Sequence, residues 1–114
     1  MLLNESKKTV LAKHLKCADT FFTRLLGLMG TGKESFVSGM ALLIKPCKQV
    51  HTFLMRFPID VIFIDKNNLV IKTVPGLRPY RASPLVTGAA AVIELPRGTI
   101  EGTCTTVGDK LKIC

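Results

Sequence analysis

The feature that most constrains this chain is the rhythm with which its apolar runs are interrupted. From residue 40 onward, short apolar runs occupy 40–44, 50–55, 59–64, 69–74, 89–95 and 110–113. Between them fall Pro46, Arg56-Phe57-Pro58, the step Asp65-Lys66-Asn67-Asn68, a proline-bearing stretch over 75–84, Pro96-Arg97-Gly98 and Gly108-Asp109. Runs this short are poor helices and good strands, and Pro, Gly and Asn supply the turns between them. Runs 59–64 and 69–74 around the Asp-Lys-Asn-Asn step form a hairpin, because Asn tolerates the left-handed backbone of a tight turn.

The N-terminal third reads differently. Residues 8–17 mix Val10, Leu11, Leu15 and Cys17 with lysines and fit one half-buried opening strand. Asp19 is placed as the N-cap of a short helix over 20–29, where Phe21, Phe22, Leu25, Leu26 and Leu28 make an apolar stripe that Gly30 ends. Residues 99–105 read as a single helical turn or as irregular chain. The expected fold class is therefore mainly β: a compact antiparallel sandwich or barrel with one short N-terminal helix. At 114 residues the chain has the length of one domain, spanning 1–114.

Composition enters where it excludes. No apolar run approaches the roughly 20 residues that a membrane-spanning helix needs. The first residues, Met-Leu-Leu-Asn-Glu-Ser-Lys-Lys, lack the pattern of a secretory leader, so a cytoplasmic protein is expected, with no membrane partner. Cys17, Cys47, Cys104 and Cys114 form no closely spaced pair. They are expected as reduced thiols, mostly small apolar fillers with Cys114 exposed at the terminus. No Gly-rich phosphate loop and no paired metal ligands occur, so neither a cofactor nor a metal is expected. The net charge of +8 favours anionic partners by long-range attraction.

The densest segment runs from 50 to 65. Strand alternation places His51, Phe53 and Met55 on one face, and puts Asp60 on the face of Ile62 and Ile64. A carboxylate among apolar neighbours needs hydrogen-bond donors or a cation. Asp60, two residues after Pro58, is placed to accept backbone N–H groups at the corner. Glu94 sits in a second apolar strand, and Arg24 and Arg56 are candidate partners for these two acids, as structural polar groups.

Taken in order, Arg24-Leu25-Leu26-Gly27-Leu28-Met29, Gly39-Met40, the segment 51–65, Ile93-Glu94-Leu95-Pro96-Arg97-Gly98 and Gly108-Asp109 resemble the proteins of domain of unknown function family 192. The resemblance spans nearly the whole chain. It implies a β-sandwich or barrel of jelly-roll-like character with one short helix, and it implies no established activity. Many relatives carry an aromatic residue where this chain has His51, which argues against a general catalytic role for that histidine.

Three functional readings follow from the residues. In the first, a non-catalytic binding module takes an anionic small ligand or an acidic peptide. Its grip comes from Arg56, Arg78 and Arg81 with His51, while Tyr80 offers a ring to stack. The loop Arg78-Pro79-Tyr80-Arg81 carries most of that argument, since two guanidiniums bracket the chain's only tyrosine in a proline-stiffened segment. In the second, an enzyme pairs His51 with Asp60 or Glu94 as acid and base. In the third, Lys7, Lys8, Lys13, Lys16, Lys110 and Lys112 bind nucleic acid weakly. No nucleophile–base motif is visible, and the binding module is the preferred reading.

Overall fold

The computed structural model of the chain describes residues 1–18, 39–45, 48–49, 57–78 and 81–114. The strand grammar of the sequence is realised most fully in the centre. Ile59–Ile64 forms a strand buried along its whole length, with Ile59, Val61 and Phe63 on one face and Asp60, Ile62 and Ile64 on the other. Burial of each such aliphatic or aromatic side chain stabilises by about 1.5–3 kcal/mol, so a strand covered on both faces anchors the fold.

Numbered in chain order, the strands are β1 (Leu2–Asn4), β2 (Thr9–Ala12), β3 (His14–Ala18), β4 (Met40–Ile44), β5 (Ile59–Ile64), β6 (Val70–Leu77), β7 (Ala91–Pro96) and β8 (Leu111–Ile113). A single helical turn, α1 (Thr99–Gly102), follows β7. The strands form two sheets, a three-stranded one ordered β2-β1-β8 and a five-stranded one ordered β3-β4-β7-β5-β6. Leu2, Leu11, Ala12 and Leu111 of the small sheet pack against Leu43, Ile62, Ile64, Ile93 and Leu95 of the large one, closing a shared core with Ile100 of α1. The mainly β, two-sheet architecture is thus as the sequence indicates. The helix expected over 20–29 and the strand expected over 50–55 lie outside the described residues.

Three local features differ from the sequence reading. The opening strand over 8–17 is two strands: at Lys13 the chain leaves the small sheet, and the backbone N–H groups of Lys13 and His14 both donate to the Gly39 carbonyl as it enters the large one. β3 then pairs with β4 in parallel, from His14 beside Met40 to Ala18 beside Ile44, so the large sheet is mixed rather than wholly antiparallel. Parallel pairing requires a long crossover connection, and the chain between Ala18 and Met40 has the length for one. Finally, β6 does not stop before Pro75 but continues to Leu77. The register shifts there, Ile59 lying beside Leu77 and Val61 beside Val74, so β6 carries an extra residue. Such a bulge accommodates Pro75, which lacks an N–H for the ladder, and Gly76, whose φ is +64°.

The hairpin between β5 and β6 is as its sequence indicates. Asp65 Oδ1 accepts from the Asn67 and Leu69 N–H groups, and Asn68 takes the left-handed conformation at φ 63°. Cys17 and Cys104, expected among the fillers, are exposed thiols like Cys114. Cys17 lies on an edge strand, where one face of the residue meets solvent, and Cys104 occupies a left-handed turn position at φ 57°.

Candidate functional site

Two carboxyls one strand apart define the chemistry of the large sheet. Asp60 on β5 stands beside Leu95 of β7, and Glu94 stands beside Val61. Because neighbouring residues of a strand point to opposite faces, Asp60 faces the shared core while Glu94 faces the outer side, among Leu42, Val61 and Val92. The two acids therefore belong to different environments and do not share a site.

Asp60 is 1% exposed and both of its oxygens are engaged. Oδ1 accepts the Gly76 N–H at 2.9 Å, the N–H that the β6 bulge releases from the ladder. Oδ2 accepts the N–H groups of Gly98 at 3.1 Å and Ile100 at 2.8 Å, at the start of α1. Gly98 at the N-cap position has φ 93° and no side chain with which to cap the turn, so Asp60 does so from another strand.

This arrangement gathers the β6 bulge and the β7–α1 turn around one carboxylate, and it sets Arg97 against the bulge. Arg97, exposed in that turn, lies so close to Gly76 that a Cβ there would stand 3.9 Å from its Nε. Arg78 follows Gly76 by two residues and is exposed, as is Arg81 further along the same stretch. Arg97 was not singled out from the sequence, where it reads as an ordinary turn residue. Its position after Pro96 and before Gly98 is the signal that a rigid corner holds it. Of the other residues the binding reading names, Arg56, His51 and Tyr80 lie outside the described residues, as does Arg24.

Glu94 is the opposite case. It is 3% exposed, and its Oε2 has no hydrogen-bond partner. Burial pushes its carboxyl up to about 8. At neutral pH it is a neutral group with one O–H to donate and one carbonyl oxygen to accept.

A third acid, Asp109, sits between β1 and the C-terminal strand. Asn4 Nδ2 donates to its Oδ2 at 2.9 Å, the Thr106 N–H donates to the same oxygen at 3.0 Å, and Lys7 Nζ approaches Oδ1 at 2.7 Å. Burial alone would raise this carboxyl, but the hydrogen bonds from Asn4, Lys7 and Thr106 with the Lys7 charge outweigh it and hold it at about 2. Of the lysines named for nucleic acid, Lys7 is committed here, and Lys110 Nζ donates to the Asn67 carbonyl. Among the described residues no three His, Cys, Asp or Glu side chains are grouped to hold a metal ion, and no helix is long and apolar enough to cross a membrane.

Fold and site together define a small two-sheet β protein with an arginine-bearing corner and a buried, neutral acid on its outer sheet face. The chain belongs to the DUF192 family (Uncharacterized ACR, COG1430), whose model it matches over residues 2–113. It is 36% identical over 113 residues to UPF0127 protein PH1112 of Pyrococcus horikoshii, covering 98% of this chain and 97% of that one. It is 34% identical over 116 residues to a UPF0127 protein of Thermococcus sibiricus, covering 97% of this chain and 73% of the relative. A crystal structure of a protein of unknown function from Novosphingobium aromaticivorans superposes with a TM-score of 0.75 at 19% identity, over 87% of this chain and 74% of that chain. A putative transcription regulator from Sinorhizobium meliloti superposes with a TM-score of 0.73 at 20% identity, over 86% and 79%. At these identities the two structures speak for the fold alone.

Proposed function

We propose that the chain is a small binding module that takes an anionic small ligand at the corner where Arg97 lies against Gly76 and Arg78 follows it. The observation that carries this reading is the convergence of the bulge and the β7–α1 turn on Asp60, which sets Arg97 beside the strand leading to Arg78. A guanidinium held on a rigid element loses little freedom when it grips a carboxylate or phosphate bidentately. The net charge of +8 draws such ligands in. Arg81, with Arg56, His51 and Tyr80, completes the set that this reading assigns to the ligand. An acid–base enzyme built on Asp60 is disfavoured, since both Asp60 oxygens are bound to backbone N–H groups of the fold.

The test is thermal unfolding in the presence of inorganic phosphate, citrate and a short polyglutamate peptide at two salt concentrations. A ligand at about 100 times its dissociation constant stabilises by about 2.7 kcal/mol, readily seen in a domain of this size. We expect a salt-resistant shift with a small anion, measured against each protein's own melting point in plain buffer, that disappears in Arg78→Ala/Arg81→Ala/Arg97→Ala. A shift equal in the triple variant overturns the reading. A shift with polyglutamate alone replaces the small ligand by an acidic peptide.

A further inference from the structure

We propose that the open edge of β3 docks an extended peptide segment of a partner protein, in which acidic and aliphatic residues alternate. The docking strip stands independently of the arginine corner.

The argument begins with how the edges of the two sheets are closed. A strand at a sheet edge carries unpaired N–H and C=O groups, and proteins blunt such edges with prolines, bulges, covering chain or charge. In the small sheet, the open side of β8 is met by the hairpin turn, where the Leu111 N–H donates to the Asn68 carbonyl and Leu69 bridges to Lys110. β2 is irregular, its register with β1 shifting between Leu2 and Leu3. In the large sheet, β6 is interrupted by two register shifts and by Pro75, and at its start Val70 exchanges backbone hydrogen bonds with Gly108 and Asp109. β3 has none of these devices. Its residues run in unbroken parallel register with Met40–Ile44, without proline or bulge. Among the described residues no strand pairs with its other side. His14, Lys16 and Cys17 are exposed along it.

The chemistry of the occupant follows from the two faces of this strand. His14 and Lys16 stand beside Met40 and Leu42 on the outer face, while Leu15 and Cys17 stand beside Ala41 and Leu43 on the inner one. Leu15 packs on the inner core but stays half-buried. An added strand would therefore lay alternate side chains against a cationic row and an apolar row. Lys13, just before the strand, is exposed like Lys16, and no acid occurs between Ser6 and Ala18, so the cationic row selects carboxylates. The same charge rejects a second copy of this chain, which would bring another +8 and its own lysines to the edge. Nucleic acid would meet the lysines but would gain nothing from the main-chain ladder or from Leu15. For a peptide, main-chain hydrogen bonds give affinity and the alternating rows give specificity.

The experiment is a chemical-shift titration of the whole chain with acetyl-Glu-Val-Glu-Val-Glu-amide. The comparison probes are the reordered acetyl-Val-Val-Glu-Glu-Glu-amide, a copy of the first peptide N-methylated at every residue, and a short oligothymidylate. The expected result is saturable binding of the alternating peptide, with shifts centred on β3 and β4 and slowed hydrogen exchange at alternate residues of β3. The reordered and N-methylated peptides should bind roughly tenfold more weakly or worse. Lys13→Glu/Lys16→Glu, changed only at exposed side chains, should reject the acidic peptide and accept acetyl-Lys-Val-Lys-Val-Lys-amide. Arg78→Ala/Arg81→Ala/Arg97→Ala should bind the alternating peptide as wild type does, which separates the strip from the arginine corner. The proposal is overturned if the alternating peptide does not bind, or if the reordered or N-methylated peptide binds as well. It is equally overturned if the charge-swapped variant keeps wild-type affinity, if the triple arginine variant loses it, or if oligothymidylate binds the same residues more tightly.

Discussion

The two faces of the five-stranded sheet use carboxyls in opposite ways. On the inner face, Asp60 binds three backbone N–H groups drawn from β6 and from the β7–α1 turn. On the outer face, Glu94 is buried to the same degree and its Oε2 binds nothing. Both sit in apolar strands, one strand apart. Burial as such therefore does not mark a functional acid, since the inner face is just as buried and wholly accounted for by folding. What separates the two, among the described residues, is whether the fold supplies the donors.

The comparison is broken most directly at Asp60. Replacing it by Asn keeps the shape but turns one acceptor into a donor facing backbone N–H groups. Since hydrogen bonds to a charged group are the strong ones, and buried N–H groups left unmet cost about 1–3 kcal/mol each, a loss on the order of 4 kcal/mol is expected in urea unfolding. That is a large share of the roughly 5–15 kcal/mol that holds a domain together. A loss under about 1 kcal/mol would remove Asp60 as the organiser of the corner.

Glu94 should show the reverse sign. Its folded pKa, about 8, lies above the ordinary value that the unfolded chain regains. Between those two values the native state binds the proton and the unfolded state does not, so stability falls as pH rises, by up to about 1.4 kcal/mol per unit. Above about 8 the fall levels off. Allowing for relaxation around a buried charge, the whole descent amounts to roughly 3 kcal/mol. Glu94→Gln should flatten it, and be more stable than wild type at pH 8. A variant with the wild-type slope would place the titrating group elsewhere.

Much of this contrast was legible in the sequence, and the reasons for the remainder are physical. The strand 59–64, the strand 40–44 and the turn at 65–68 announce themselves because short continuous apolar runs and turn chemistry are local. An acid in an apolar run announces a need for donors. It does not announce whether the need is met, because the donors of Asp60 come from Gly76, Gly98 and Ile100, brought there by a bulge and by register. The bulge was hidden because Pro75 reads as a loop when its strand neighbours are unknown. The break at Lys13 and the parallel pairing of β3 with β4 left no local mark, since both depend on which sheet accepts the strand. Arg97 and Gly76 meet across the end of β5, a proximity that no spacing along the chain encodes.

The third acid offers the smallest effect and the finest test of an acid whose donors the fold supplies. Asp109 is partnered like Asp60, but one of its donors, the Lys7 ammonium, is about a third exposed. Exposed or half-exposed pairs contribute about 1 kcal/mol or less, and salt weakens them further. Lys7→Met should therefore cost no more than that near neutral pH. The sign with pH is fixed by the depressed carboxyl: the contribution is present above the ordinary aspartate range and is lost as pH falls through about 2, where the native state finally takes up the proton. Unfolding curves of wild type and Lys7→Met, separated at pH 6, should thus converge towards pH 2, while Asn4 and the Thr106 N–H still hold the carboxyl in both. A gap that persists unchanged at pH 2 would mean that Lys7 acts through the packing of its hydrocarbon stem rather than through its charge.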